Sequence, residues 1–267
     1  MDDKKVFKQP KRTTSPKRVN KIKGIAGLIS FSTILPINIH TNIEEMAAFT
    51  WFWPIIGILI GIFVGLVGFI TINIIHLPSL VAAALVYSFA IWFTGFHHLD
   101  GLIDMGDGLM AHGDNNKKID IMRDSMIGTG GISLFFVIAI ITVTSISAIP
   151  AILIFGVLLI SEIAAKISIL SCATLSTPIS NGTGQYFINA MNMPLLAFSL
   201  IVTCIIGFFI LNLAGVLGII GALIGGFLIA GIAKKNFKYA TGDVLGASNE
   251  IGRAISLIVI IISLIYL

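Results

Sequence analysis

The sequence predicts an all-α, polytopic integral membrane bundle of about seven transmembrane helices, with a short re-entrant or interfacial segment ahead of the first crossing. Three observations carry this. Hydrophobic residues make up 56% of the chain and charged ones only 11%, with mean hydropathy +1.00; a soluble domain carries about 25% charge. Apolar runs of spanning length recur along the chain, separated by short polar breaks. The basic residues gather on one set of those breaks.

Residues 1–23 hold nine of the seventeen Lys and Arg, with Pro10 and Pro16, and lack the apolar core of a signal peptide. They read as a disordered basic cytoplasmic arm, attracted to anionic headgroups. Only Phe7 accompanies the charge, which argues against nucleic acid as a partner. Residues 24–267 read as one membrane-embedded catalytic domain. Gly24–Ile39 is apolar but short, contains Pro36 and is followed by Glu44 and Glu45, which suits a segment that does not cross. Crossings are expected at Trp53–Ile75, Ser79–Phe96, Ile132–Ile149, Ala151–Leu175, Met193–Asn212, Ala214–Ala233 and from about Arg253 to Leu267. Gly57, Gly61, Gly65 and Gly68 in the first crossing predict close helix packing. Cys172 and Cys204 lie in apolar segments and read as packing residues.

Seven crossings put the arm, His97–Gly131, Ser176–Asn192 and Lys234–Gly252 on one face. All Lys and Arg lie there except Lys166, inside a span, and Arg253, at the edge. The positive-inside rule then makes that face cytoplasmic, in a cell membrane.

That face carries the chemistry. Asp100, Asp104, Asp107, Asp114, Asp120 and Asp124 are six of the thirteen acidic residues, within 25 positions. On a helix, positions 100, 104 and 107 project within about 60° of one another. Like charges so placed repel unless a cation sits between them. A hard divalent ion such as Mg²⁺, shared with a substrate phosphate, is the economical solution. Asp114-Asn115-Asn116-Lys117-Lys118 reads instead as a solvated loop. Arg123 and Asp124 precede Ile127-Gly128-Thr129-Gly130-Gly131, a glycine-rich turn whose N–H groups suit a phosphate at a helix start. His98 is either an interfacial capping residue or a functional imidazole. Glu162 and Lys166, i and i+4 within a span, are expected to pair, either structurally or lining a polar cavity where Lys166 touches phosphate. Asp243 alone reads as a turn residue, and Ser180–Gln185 as a turn.

The segments HLDGLIDMGDG, IMRDSMIGTGG and TGDVLGASNE, in that order, resemble the cobalamin synthase (adenosylcobinamide-GDP ribazoletransferase) family. Met126 and Ser161-Glu162 depart from its pattern. The resemblance implies a transferase that joins adenosylcobinamide-GDP to α-ribazole or its 5′-phosphate and releases GMP, with the corrinoid as substrate. It implies catalytic roles for His98, Asp124 and Asp243. It implies substrate contacts from Arg123, Ser125, Gly128 and Asn249, beside the phosphate contact read for Lys166 from its place in a span and the metal ligation read for Asp100, Asp104 and Asp107 from their spacing. The alternatives weighed are CDP-alcohol phosphotransferases, whose Asp-Gly-x-x-Ala-Arg start is not matched at Asp100-Gly101, membrane prenyltransferases, and a secondary transporter coupled through Glu162 and Lys166.

Overall fold

In the computed structural model, residues 20–37 and 39–267 are described, so the basic arm up to residue 19 lies outside the described residues. Lys21 and Lys23, placed in the arm by sequence, belong instead to helix α1 (Lys21–Ser32), capped by the Asn20 side chain. Twelve residues rise about 18 Å, too little to cross a bilayer. The α1 end is tied down where Trp53 Nε1 donates to Ser32 Oγ at 3.2 Å and Ile34 N–H donates to the Phe93 carbonyl at 2.9 Å. Helix α2 (Ile43–Ala47) is a single capped turn.

Helix α3 (Trp53–Phe69) starts with Pro54 in its first turn, where no N–H is needed, and ends in a wider turn at Ile70–Ile74. Helix α4 (Ser79–Phe93) is followed by Gly95 at φ +64° and Phe96 at φ +60°. Two successive left-handed residues swing the chain through 93° into helix α5 (His97–Met110). Left-handed φ is strained for Phe, and such strain marks a point the surrounding structure over-determines.

Helix α6 (Asn115–Met122) is capped by Asp114, whose carboxylate accepts the Lys117 N–H at 2.9 Å. Helix α7 (Thr129–Ser147) leads to helix α8 (Ile154–Leu175), the centre of the bundle. α8 is buried almost all round, against α3, α10 and α11. The glycines of α3 make this possible. A Cβ at Gly57 would stand 2.9 Å from the Glu162 carbonyl, and one at Gly61 2.9 Å from Leu159 Cα.

Helix α9 (Gly184–Ala190) precedes α10 (Met193–Asn236), which is two antiparallel helices. Leu211 and Asn212 leave helical geometry, Asn212 at φ +49°, and a Cβ at Gly207 would lie 3.1 Å from the Gly215 carbonyl. Such an approach eight residues along needs a reversal of the chain. Among the described residues, five helices are long and apolar enough to cross, or six if the bent α4–α5 pair is one span. Splitting α10 at its hairpin brings the count to about seven.

The last helix differs from expectation. α11 (Gly242–Tyr266) begins eleven residues ahead of Arg253. Lys234–Gly252 is therefore not one loop: its first part ends α10, and Gly242 onward is helix capped by Thr241. The polar run reads as loop only if water faces it. Here Ser248 and Asn249 bond to α8, Glu250 bonds to Tyr87 of α4, and all three are buried.

Candidate active site

α5 is the platform of the site. Asp100 lies in its first turn, where a carboxylate favours the helix dipole, and is exposed. Asp104 is one turn on and half-buried. Burial, and then the charges of Asp243, Asp100 and Asp107, push the Asp104 carboxyl up to about 7. Asp243 thus belongs to the same cluster although far along the chain. Its approach is built from backbone: a Cβ at Gly101 would stand 2.7 Å from the Asp243 carbonyl oxygen and 2.8 Å from its Cα. Only glycine lets α5 and α11 meet there. Gly246, one turn further along α11, receives the His98 backbone in the same way.

Asp107 is placed differently from Asp100 and Asp104. Its Oδ2 accepts the Gly128 N–H at 2.7 Å and its Oδ1 the Gly131 N–H at 2.8 Å. α7 has no cap of its own, so a carboxylate from α5 supplies one. The glycine-rich turn therefore holds Asp107 rather than presenting all its N–H groups to the surface. Close backbone contact of Gly106 with Gly130 and Gly131 accompanies this.

Arg123, Asp124 and Ser125 are exposed in the turn between α6 and α7, with Asp124 Oδ1 accepting the Met126 N–H at 3.2 Å. The charges of Arg123 and Asp100 both act on Asp243, which ties this turn to the cluster. No three His, Cys, Asp or Glu side chains among the described residues converge into a ready-made ion cage. The carboxylates of Asp100, Asp104 and Asp243 have no Lys or Arg within ion-pair distance among those residues. His98 points inward, its Nδ1 buried without a hydrogen-bond partner. Burial, followed by the positive charges of Lys166 and Arg253, holds its imidazole well below the usual histidine range.

Lys166 and Asn249 lie deeper and are wholly buried. The expected Glu162–Lys166 pair does not form. Glu162 accepts from Arg253, Nε to Oε1 at 2.8 Å and Nη2 to Oε2 at 3.2 Å, a bidentate geometry Lys cannot supply. Lys166 Nζ donates to Asn249 Oδ1 at 2.7 Å, and Asn249 Nδ2 to Glu250 Oε1 at 3.0 Å. Glu250 Oε2 accepts from Arg253 Nη1 and, at 3.2 Å, from Tyr87 OH. Tyr87, Glu250 and Arg253 carried no assigned role in the sequence reading. The signal was available in Glu250 and Arg253, a carboxylate and a cation three residues apart entering an apolar run.

A family model described as cobalamin-5-phosphate synthase matches residues 24–261, which takes in both halves of this cluster. The chain belongs to the cobalamin-5-phosphate synthase family. Relatives named adenosylcobinamide-GDP ribazoletransferase include one from Methanococcoides burtonii, 32% identical over 88% of this chain and 90% of its own length. One from Methanosarcina barkeri is also 32% identical, with the same coverage. One from Thermococcus kodakarensis is 30% identical over 87% of this chain and 95% of its own. No solved structure matches the chain. In this member of the cobalamin-5-phosphate synthase family, the matched region begins at Gly24, so the basic arm falls outside it.

Proposed function

We propose that the protein is an adenosylcobinamide-GDP ribazoletransferase, joining adenosylcobinamide-GDP to α-ribazole or α-ribazole 5′-phosphate with release of GMP. The observation that carries this reading is the meeting of α5 and α11 at Gly101 and Asp243, in a chain of this family. Attack by the acceptor's ribose hydroxyl on the phosphate nearer the corrinoid forms a new P–O bond. The bond to the GMP phosphate oxygen breaks, and the hydroxyl proton passes to a base.

Asp100, Asp104 and Asp243 would hold Mg²⁺. The fit rests on crowded carboxylates with no Lys or Arg at ion-pair distance among the described residues, one of them raised by burial and its acidic neighbours to about 7. Because they do not close a cage by themselves, diphosphate oxygens would complete the coordination, as is usual for Mg²⁺. When bound, the ion neutralises negative charge developing on the diphosphate. Asp107, with both oxygens on α7 N–H groups, ties the platform to α7 and so departs from the ligand role expected from spacing.

Arg123 is exposed at the rim and suits a bidentate hold on phosphate oxygens. Ser125 and the Gly128 turn border the same surface. Asp124 and the neutral imidazole of His98 are the proton acceptors on offer. Lys166 and Asn249 support this layer from below. The loops of this face carry the Lys and Arg, which supports a cytoplasmic active site in the cell membrane.

The test is direct. Purified protein in lipid, given Mg²⁺, adenosylcobinamide-GDP and α-ribazole, should release GMP in step with corrinoid product. No GMP with both substrates and metal present would refute the reading.

A further inference from the structure

The charged residues beneath the site pose a question of their own. Glu162, Glu250, Lys166 and Arg253 are 0–2% exposed in the middle of an apolar bundle. Buried ion pairs are often replaceable by apolar residues without loss of stability, so stability alone does not explain them. Geometry offers a better reason. At 3.6 residues per turn, Gly246, Glu250 and Arg253 lie within about 80° of Asp243 around α11, and Arg253 lies about 15 Å along the axis. The face of α11 that presents Asp243 to α5 is therefore the face that the network grips.

The grip is specific in direction. The Arg253 fork on Glu162 fixes α11 against α8. The Tyr87 hydroxyl on Glu250 fixes α11 against α4, the helix that leads through the Gly95–Phe96 turn into α5. Both halves of the carboxylate cluster are thus referred to one set of hydrogen bonds. An apolar interface could slip, and a slip of one residue rotates a helix by about 100° and shifts it about 1.5 Å. That would turn Asp243 away from Asp100 and Asp104.

We propose that Tyr87, Glu162, Glu250 and Arg253 form a register lock, positioning residues that hold Asp243 of α11 against Asp100 and Asp104 of α5. The proposal rests on the reading that Asp243 belongs to the active site. Two variants test it: Tyr87→Phe, which removes one hydroxyl and leaves the charges paired, and the charge-free combination Glu162→Leu, Lys166→Met, Glu250→Leu and Arg253→Met. Melting temperature, backbone hydrogen exchange over residues 242–248, kcat and the Mg²⁺ concentration for half-activation are measured together.

The charge-free protein is expected to melt at or above the wild-type temperature. It should exchange faster at 242–248, lose about a hundredfold in kcat, as misplacement near 1 Å does, and need more Mg²⁺. Tyr87→Phe should move the same readouts in the same direction by a smaller factor. A charge-free protein with wild-type kcat, metal requirement and exchange overturns the lock. If that protein does not fold, Tyr87→Phe decides: wild-type exchange and turnover in it overturn the proposal. Asp243→Asn separates the two readings. Full activity in Asp243→Asn removes Asp243 from the site, and the lock then stands or falls on the exchange data alone.

Discussion

Asp107→Asn separates a tie between helices from an open metal ligand. In the wild type both carboxylate oxygens accept N–H groups at the start of α7, at 2.7 and 2.8 Å. Hydrogen bonds to a charged group contribute about 1.5–3 kcal/mol each. Asparagine keeps one acceptor and turns an NH₂ group toward the other N–H. One bond is lost, a donor faces a donor, and the favourable charge at the helix start disappears, itself about 0.3–1 kcal/mol. A cost of about 2–4 kcal/mol to the α5–α7 junction follows. The assay is a thermal melt in detergent beside a Mg²⁺ activation curve. Asp107→Asn should melt at lower temperature and lose turnover, yet half-activate at close to the wild-type Mg²⁺ concentration. Gly128→Ala should behave alike, because a Cβ there would run into the Asp107 carboxylate. A wild-type melt with a strongly displaced Mg²⁺ curve would refute the tie and return Asp107 to the metal.

Three further outcomes are expected. Asp104 titrates near 7 against an ordinary value of 3.8, so between those pH values the folded chain keeps a proton that the unfolded chain has released. Its contribution to stability therefore falls as pH rises through that window, while Mg²⁺, which must displace the proton, binds more tightly, by about tenfold per unit below 7. Asp104→Asn should flatten both slopes, and unchanged slopes would count against the cluster. Gly101→Ala should force α5 off Asp243, at about 1–3 kcal/mol, and abolish most GMP release; a fully active variant would show that the contact is dispensable. Cysteines at Asn115 and at Asn212 should label from opposite sides of sealed cells, and equal access would break the seven-crossing topology.

Much of this was legible in the sequence because hydropathy and helical period act locally. The break at Asn212 falls where two apolar runs meet, and Asp100 and Asp104 share a helix face as their spacing requires. What was not legible depends on distant partners. Glu162 sits one turn from Lys166, so local spacing favours that pair, but a guanidinium 91 residues away satisfies both its oxygens. TGDVLGASNE looks like a solvated loop by composition, because in soluble proteins such residues face water. Inside a membrane bundle the polar face can turn inward, and α11 does this from Val244 onward. Asp107 has helical spacing with the other two, and nothing in its own turn reveals that α7 lacks a cap.

The central claim is that α5 and α11 share one metal–diphosphate site, and Mn²⁺ binding followed by electron paramagnetic resonance with adenosylcobinamide-GDP present tests it most directly. Asp100→Asn, Asp104→Asn and Asp243→Asn should each weaken Mn²⁺ binding by about tenfold or more, while Asp107→Asn stays close to wild type. Wild-type Mn²⁺ affinity in Asp243→Asn, with binding abolished in Asp107→Asn, would contradict the shared site.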